Sequence, residues 1–361
     1  MKSSLFRWAP KAPFKTSGKR FDDLFVNPKA PKKAWDGQDK DSFFRDKYAH
    51  VHAKQLQRRK EEQNAKKKRE GGSKKIAVPA PKPDKLFAER IKAQMDKDSR
   101  LEHMFGTSAV LAALETRQAV KLYSGNRSAD TDIAIMKKCS DLDVPVVTSV
   151  PAQHLNILTN NGVHNKYVLT VHKREFPSVV DLPLVADDII VGEELKLKPK
   201  RTNPLGLYID EVTDTHNMGA ILRSAYWFGV DFVSFSRRNC APISPQVVKA
   251  SAGAAEFLPI LEVPQPLKFF ENLTKNNWNV ISSTTPSSRH KLPAVLPEEL
   301  PKLLEDGPCL LVVGSEGEGI RTSLLQRSTH RTALEAVGQQ IDSLNVSVAT
   351  ALLLSAFGAP K

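Results

Sequence analysis

Three polar clusters in the carboxyl-terminal half of this chain carry residues able to bind and orient a ligand. The first two directly follow apolar runs that read as β-strands, and the third lies beyond the last of these. The first spans residues 210–229 (DEVTDTHNMGAILRSAYWFG), where a strand ending at Asp210 turns into a helix. Asn217 and Arg223 stand six positions apart there. On a helix starting near Asn217, Arg223 projects from the second turn among Ala220, Ile221, Leu222 and Ala225, close to the sheet end. A buried charge in that position requires a partner. An ion pair with Asp210 or Asp214 satisfies that need structurally, and a ligand satisfies it functionally. The second cluster, residues 314–319 (GSEGEG), follows the apolar run 310–313. Its glycines at 314, 317 and 319 lack the spacing of a dinucleotide loop, and no Lys-Ser/Thr pair follows as in a phosphate loop. Glu316 and Glu318 would also repel phosphates. Such a loop suits a ligand bearing hydroxyls, an amine and a sulfonium, and it also fits an ordinary acidic turn. The third cluster, residues 342–349 (DSLNVSVA), leads into the last apolar helix. Ser343, Asn345 and Ser347 can cap that helix, and Asn345 can alternatively bond a ligand or a loop. No GxSxG elbow surrounds these serines. His216, His290 and His330 lack metal-ligand spacing, so the expectation is no metal.

The elements that position these clusters alternate. Strands are expected at 205–209, 231–235, 259–261, 278–282 and 310–313. Helices are expected at 219–228, 244–252, 267–276, 297–304 and 347–357. Alternation of this kind implies a parallel sheet covered on both faces, with ligand groups at the carboxyl ends of its strands. Upstream, residues 106–114 (GTSAVLAAL) and 132–139 (DIAIMKKC) read as helices, and 144–147 and 167–171 as short strands. They form a small α/β module. Residues 181–203, rich in Pro and Lys, read as a connection. The expected organisation is a leader at 1–100, a small module at 101–175, a linker at 176–203 and the alternating domain at 204–361.

Charge separates the leader from the rest. Of the net +13 over 361 residues, residues 1–100 contribute +15 and residues 101–361 contribute −2. A near-neutral globular body with a basic leader is not a uniformly basic coat protein. Residues 51–70 have almost no apolar face, and 71–85 read as a proline-stiffened linker. Most of residues 1–95 is therefore expected to be disordered without a partner. Such a segment suits an electrostatic arm for RNA phosphates, or a solubilising and targeting leader. Residues 1–21 hold six basic residues and no acidic one, a mitochondrial-type bias that Pro10 and Pro13 interrupt. No apolar run approaches the roughly 20 residues of a membrane span. Three widely spaced cysteines, Cys139, Cys240 and Cys309, exclude a disulfide framework.

Taken in order, NMGAILRSA from Asn217, GSEGEGI from Gly314 and SLNVSVA from Ser343 resemble the three motifs of the SpoU/TrmH branch of the SPOUT RNA methyltransferases. Residues 249–259 (KASAGAAEFLP) resemble the segment after the first motif. The module from FGTSAVLAAL to GVHNKYVL is similar to the family's amino-terminal RNA-binding domain. The DSLNVSVA form and long basic leader are most similar to fungal mitochondrial members that modify a guanosine ribose in large-subunit ribosomal RNA. The resemblance covers residues 103–361 and leaves the leader unexplained.

The resemblance implies a trefoil-knotted parallel-sheet domain, preceded by a small α/β RNA-binding domain. It implies S-adenosylmethionine as methyl donor, a ribose 2′-hydroxyl as acceptor, and a homodimer with sites formed across its interface. By motif position, Arg223 is the catalytic arginine and Asn217 its partner. Glu316 shapes the second loop, and Ser343 and Asn345 position the catalytic groups. Gly314, Ser315, Gly319, Ile320, Leu334 and Leu344 lie against the donor. A guanidinium is protonated below a pH of about 12, so Arg223 reads as an electrostatic and orienting group rather than a base. Two departures from the family pattern stand out: TALEAVGQQ at 332–340 replaces the usual strand before the third motif, and Lys166 replaces a glycine. Transfer RNA as substrate, and a non-catalytic ribosome-assembly factor, are the competing readings.

Overall fold

The structure is a computed structural model. It describes residues 98–125, 130–185, 188–192, 195–286, 291–315, 317–335 and 343–358, with isolated positions 90 and 93. The chain divides into two compact units, residues 1–80 and 81–361, and the described residues belong to the second. The leader expected to be disordered, its targeting segment and Glu316 lie outside the described residues, as does most of 332–340.

The first module comprises β1 (Leu101–Phe105), α1 (Thr107–Thr116), β2 (Ala119–Ser124), α2 (Asp130–Asp141), β3 (Val146–Val147), α3 (Ala152–Leu158) and β4 (Tyr167–His172). Its sheet runs β1-β4-β2-β3. Central β4 is the most apolar strand and is buried through Val171. Strands β1 and β2, both antiparallel to β4, were not expected from their mixed polar sequences LEHMF and AVKLYS. Each buries only its carboxyl-terminal residues, so alternation is weak.

Residues 176–203 are more than the expected linker. They contain a small antiparallel sheet of β5 (Leu184–Val185), β6 (Asp188–Val191) and β7 (Leu195–Leu197). Val179, Leu182, Ile189 and Val191 are buried in one cluster with Phe269, Phe270 and Trp278. The Trp278 indole donates to the Leu182 carbonyl at 3.1 Å. Leu184 and Leu197 pack against the same cluster, and the dispersal of these few apolar residues is why the Pro/Lys-rich composition concealed it.

The second sheet is built from β8 (Leu205–Ile209), β9 (Phe232–Ser236), β10 (Ile260–Val263), β11 (Asn279–Ser283), β12 (Cys309–Val313) and β13 (His330–Thr332). All are parallel, in the order β10-β9-β8-β12-β11-β13. Strands β8, β9 and β12 are buried at every residue, as a parallel sheet covered on both faces requires. The period of two separates the faces. Leu207, Ile209, Leu311 and Val313 enter one core cluster, whereas Tyr208, Leu310 and Val312 enter the other. Intervening helices are α4 (Thr215–Trp227), α5 (Pro245–Ala250), α6 (Ala254–Phe257), α7 (Pro266–Lys275), α8 (Leu300–Asp306, after a 3₁₀ turn), α9 (Thr322–Leu325) and α10 (Val346–Ala356). Helix α10 returns to pack on α4. The alternation and parallel sheet match the sequence expectation, with β13 added in a stretch too short to register.

The first module is held on α5 and α6. Arg117, at the end of α1, places Nε and Nη2 on the two carboxylate oxygens of Glu256 at 2.7 and 2.6 Å, and Nη1 on Glu102. The Arg117 and Glu256 side chains are 4% and 1% exposed. Arg174 donates to the carbonyls of Ala255, Glu256 and Leu258. One continuous apolar cluster includes Met104, Val110 and Leu114 of the module with Val247, Val248 and Leu258 of the parallel-sheet domain.

Candidate active site

The first and third motifs meet through a direct side-chain contact. Helix α4 starts at Thr215 because the Asp214 carboxylate accepts from the Asn217 backbone N–H at 2.8 Å. Gly219, in the first half of α4, lets the helix lie against α5: a Cβ there would stand 2.4 Å from the Ala250 Cβ. At the other end of the domain, Asn345 caps α10 by accepting from the backbone N–H groups of Ser347 and Val348. Its amide nitrogen then donates to Asn217 Oδ1 at 3.0 Å. Residues 128 positions apart thus share one hydrogen bond, and Asn345 caps and bridges at once. Ser343 and Leu344 are exposed beside it.

The glycine-rich loop folds back on itself. Ser315 and Gly319 exchange backbone hydrogen bonds, each 3.1 Å. A Cβ on Gly314 would lie 2.3 Å from the Gly319 carbonyl carbon, so this close approach requires glycine. Gly319 has φ +71°, and nothing stands within 4 Å of where its Cβ would be, so its backbone borders open space. Ile320 is packed into the second core cluster and Leu334 against the first.

An ion pair not anticipated from sequence anchors this loop. Asp210, fully buried at the end of β8, accepts from the Arg321 backbone N–H at 3.2 Å and from Nε at 3.0 Å; Nη2 of Arg321 reaches the same carboxylate. These hydrogen bonds hold the Arg321 guanidinium above its ordinary pKa. The available signal was the neighbourhood of β8 and β12 in the sheet, which no local motif states.

Arg223 corrects the sequence expectation of a buried, partner-requiring charge. It is exposed, and among the described residues it forms no ion pair: Asp210 is engaged by Arg321, and Asp214 caps α4. Helix geometry accounts for its exposure. Six residues advance about 9 Å and end roughly 120° around the axis from Asn217. Met218, Ile221, Leu222 and Ala225 take the buried face. Arg223 shares the outer face with Tyr226 and with Trp227, which is 82% exposed.

A cavity of about 540 Å³ opens at the carboxyl ends of β8, β9 and β12. Its lining includes Glu211, Arg238, Asn239, Cys240, Ser315 and Glu318, of which only Ser315 was read from sequence as a donor contact. Burial pushes the Cys240 thiol above its usual pKa, and its Sγ lies 3.4 Å from the Ile209 carbonyl.

Known proteins are similar to this chain in sequence and fold. A family model described as the SpoU rRNA Methylase family matches residues 204–355. Another, described as the MRM1 N-terminal domain, matches residues 1–100, which gives the basic leader a family counterpart. The chain is 34% identical to "rRNA methyltransferase 1, mitochondrial" of Saccharomyces cerevisiae, covering 96% of this chain and 93% of that protein. It is 30% identical to the 23S rRNA (guanosine-2′-O-)-methyltransferase RlmB of Pectobacterium atrosepticum, over 70% of this chain and 96% of the relative. The crystal structure of the SpoU methyltransferase AviRb from Streptomyces viridochromogenes, in complex with AdoMet, has a TM-score of 0.55 at 17% identity. That match covers 73% of this chain and 91% of AviRb, a likeness of fold. With three motifs converging on one sheet end and a relative aligned along almost the whole length, the chain belongs to the SpoU rRNA methylase family.

Proposed function

We propose that this protein methylates the ribose 2′-hydroxyl of a guanosine in mitochondrial large-subunit ribosomal RNA, with S-adenosylmethionine as donor. The observation that carries this reading is the Asn345–Asn217 hydrogen bond, which joins two of the three motifs beside the glycine-rich loop. Near-complete alignment with a mitochondrial ribosomal RNA methyltransferase supports the substrate and the compartment.

The residues fit the donor. Gly314 permits a tight fold-back, the Gly319 backbone borders open space, and Leu334 and Leu344 offer apolar surface nearby in sequence to the third motif. When bound, S-adenosylmethionine supplies a methyl group already activated by its sulfonium. Arg223 keeps its positive charge and orients the ribose and an adjacent phosphate, a preorganised electrostatic role. Asn217 and Asn345 hold the first and third motifs in register. Ser343 and Glu316 complete the positioning set.

A homodimer follows from where Arg223 points. Its face of α4 turns outward from the Asn217–Asn345 contact, so it serves the donor loop of a second copy. Tyr226 and Trp227 on α4, Phe257 on α6, and Leu344, Val348 and Leu352 at α10 are exposed large hydrophobic residues on elements that pack together. An apolar surface of this kind marks an interface.

Two measurements test the proposal. Mapping 2′-O-methyl groups after depletion is expected to show one guanosine methylation lost from mitochondrial large-subunit ribosomal RNA. Loss confined to transfer RNA or cytosolic ribosomal RNA would refute the substrate. In sedimentation, the wild type is expected to be dimeric, and Leu352→Lys monomeric and inactive. A Leu352→Lys dimer of wild-type stability would refute the interface.

A further inference from the structure

The cavity at the ends of β8, β9 and β12 shares Ser315 with the expected donor contacts, and none of its other lining residues is among them. The remaining expected contacts lie on the loop after β12 and on segments following β13. The cavity instead opens between the loops after β8 and β9, with the outer side of the glycine-rich loop as one wall.

Glu211 is the unusual residue in this wall. It adopts φ +55° one residue past the Asp210 strand end, a left-handed conformation that costs a non-glycine residue energy. Its carboxylate accepts from Asn239 Nδ2 at 2.8 Å and lies 3.5 Å from Arg321 Nε. Both contacts fall on Oε1, so a strained backbone and a carboxylate positioned through one oxygen stand together in the cavity wall. Glu318 adds a second carboxylate to the lining, while Arg238 brings one cation. The volume falls within the roughly 300–1,000 Å³ of small-ligand pockets.

Two carboxylates disfavour a phosphate and favour a ligand edge rich in N–H donors. Among the four RNA bases, guanine alone presents two adjacent donors, N1–H and the N2 amino group, matching the two oxygens of one carboxylate. A base read this way must be unstacked from its neighbours, as single-stranded RNA recognition permits. We propose that this cavity receives the guanine base of the target nucleotide, with Glu211 accepting from N1–H and the N2 amino group. Asn239 and Arg321 position Glu211, and Arg238 provides a cation for the accompanying phosphate. This inference rests on the methyltransferase reading above and adds the residue that selects the base.

The test uses the full chain and two transcripts spanning the mapped site, one with guanosine and one with inosine at the target. Inosine lacks only the N2 amino group. Wild type is expected to lose about 10-fold or more in kcat/KM on inosine, the scale of one hydrogen bond to a charged group. Glu211→Gln is expected to lose at least about 10-fold on guanosine and to treat both transcripts within about twofold. Its affinity for S-adenosylmethionine by calorimetry should stay within about threefold, well below the tenfold that one such bond represents. A purely structural role for Glu211 would lower both rates together and keep the ratio, overturning the proposal. Parallel loss of donor affinity would assign the cavity to the donor and overturn it equally. Should Glu211→Gln not fold, Asn239→Ala releases the carboxylate and carries the same comparison. Failure of the wild type to methylate either transcript would refute the methyltransferase reading itself, an outcome distinct from equal treatment by the variant.

Discussion

Replacing Arg223 by alanine is expected to lower methyl transfer by at least about 100-fold while leaving S-adenosylmethionine affinity within a few-fold. The side chain is exposed and engaged in no ion pair among the described residues, so its removal opens no cavity and leaves no buried group unpaired. On the proposed reading, what is lost is a preorganised charge beside the reacting ribose. The proposed donor loop takes its geometry from Gly314, Gly319 and the Asp210–Arg321 pair, none of which Arg223 touches. Equal loss of donor affinity and rate would place Arg223 in donor binding instead. The proposed homodimer makes a second outcome available. Mixing Arg223→Ala with an inactive donor-loop variant is expected to restore part of the activity, because one hybrid site then contains both intact halves. Absence of restoration in confirmed hybrid dimers would show that Arg223 serves its own subunit.

Glu256→Ala is expected to cost about 3 kcal/mol of stability and to split a single urea transition into two. Glu256 and Arg117 are almost completely buried and share two hydrogen bonds near 2.6 Å, so truncating the carboxylate leaves the guanidinium with Glu102 alone. Thr116 loses an acceptor as well. The damage falls on the contact between the small module and α6, so the module should melt first. A paired change, Glu256→Leu with Arg117→Met, is expected to recover most of the loss, since apolar replacement of a buried pair is often neutral. Were Glu256→Ala to unfold in one transition at the wild-type midpoint, the pair would not be holding the module.

The motif-bearing loops were legible because each combines a buried strand with an unusual polar sequence: LGLYI before DEVTDTHN, CLLVV before GSEGEG. Continuous apolar strands, short polar turns and amphipathic helices announce a parallel sheet without any tertiary information. Strands β1 and β2 escaped because their half-exposed sequences mix Glu, His and Lys with apolar residues. The small sheet at 184–197 escaped because composition averaged over Pro and Lys hid its buried Ile189 and Val191 and the Val179 and Leu182 just before it. At the site, the Asn217–Asn345 contact and the Asp210–Arg321 pair join residues over 100 positions apart, which spacing cannot reveal. The outward direction of Arg223 was calculable from helix geometry, yet the apolar neighbours at 220–225 suggested burial. The left-handed conformation at Glu211 has no local marker, since glutamate rarely adopts it.

The Asn345–Asn217 hydrogen bond also has a temporal consequence. Helix α4 emerges from the translating ribosome long before α10, and the segment that ties down its amino-terminal turn is synthesised 128 residues later. A nascent polypeptide halted short of residue 345 can build all six strands of its main sheet yet lacks the clasp between its first and third motifs. Such truncated products should be catalytically silent.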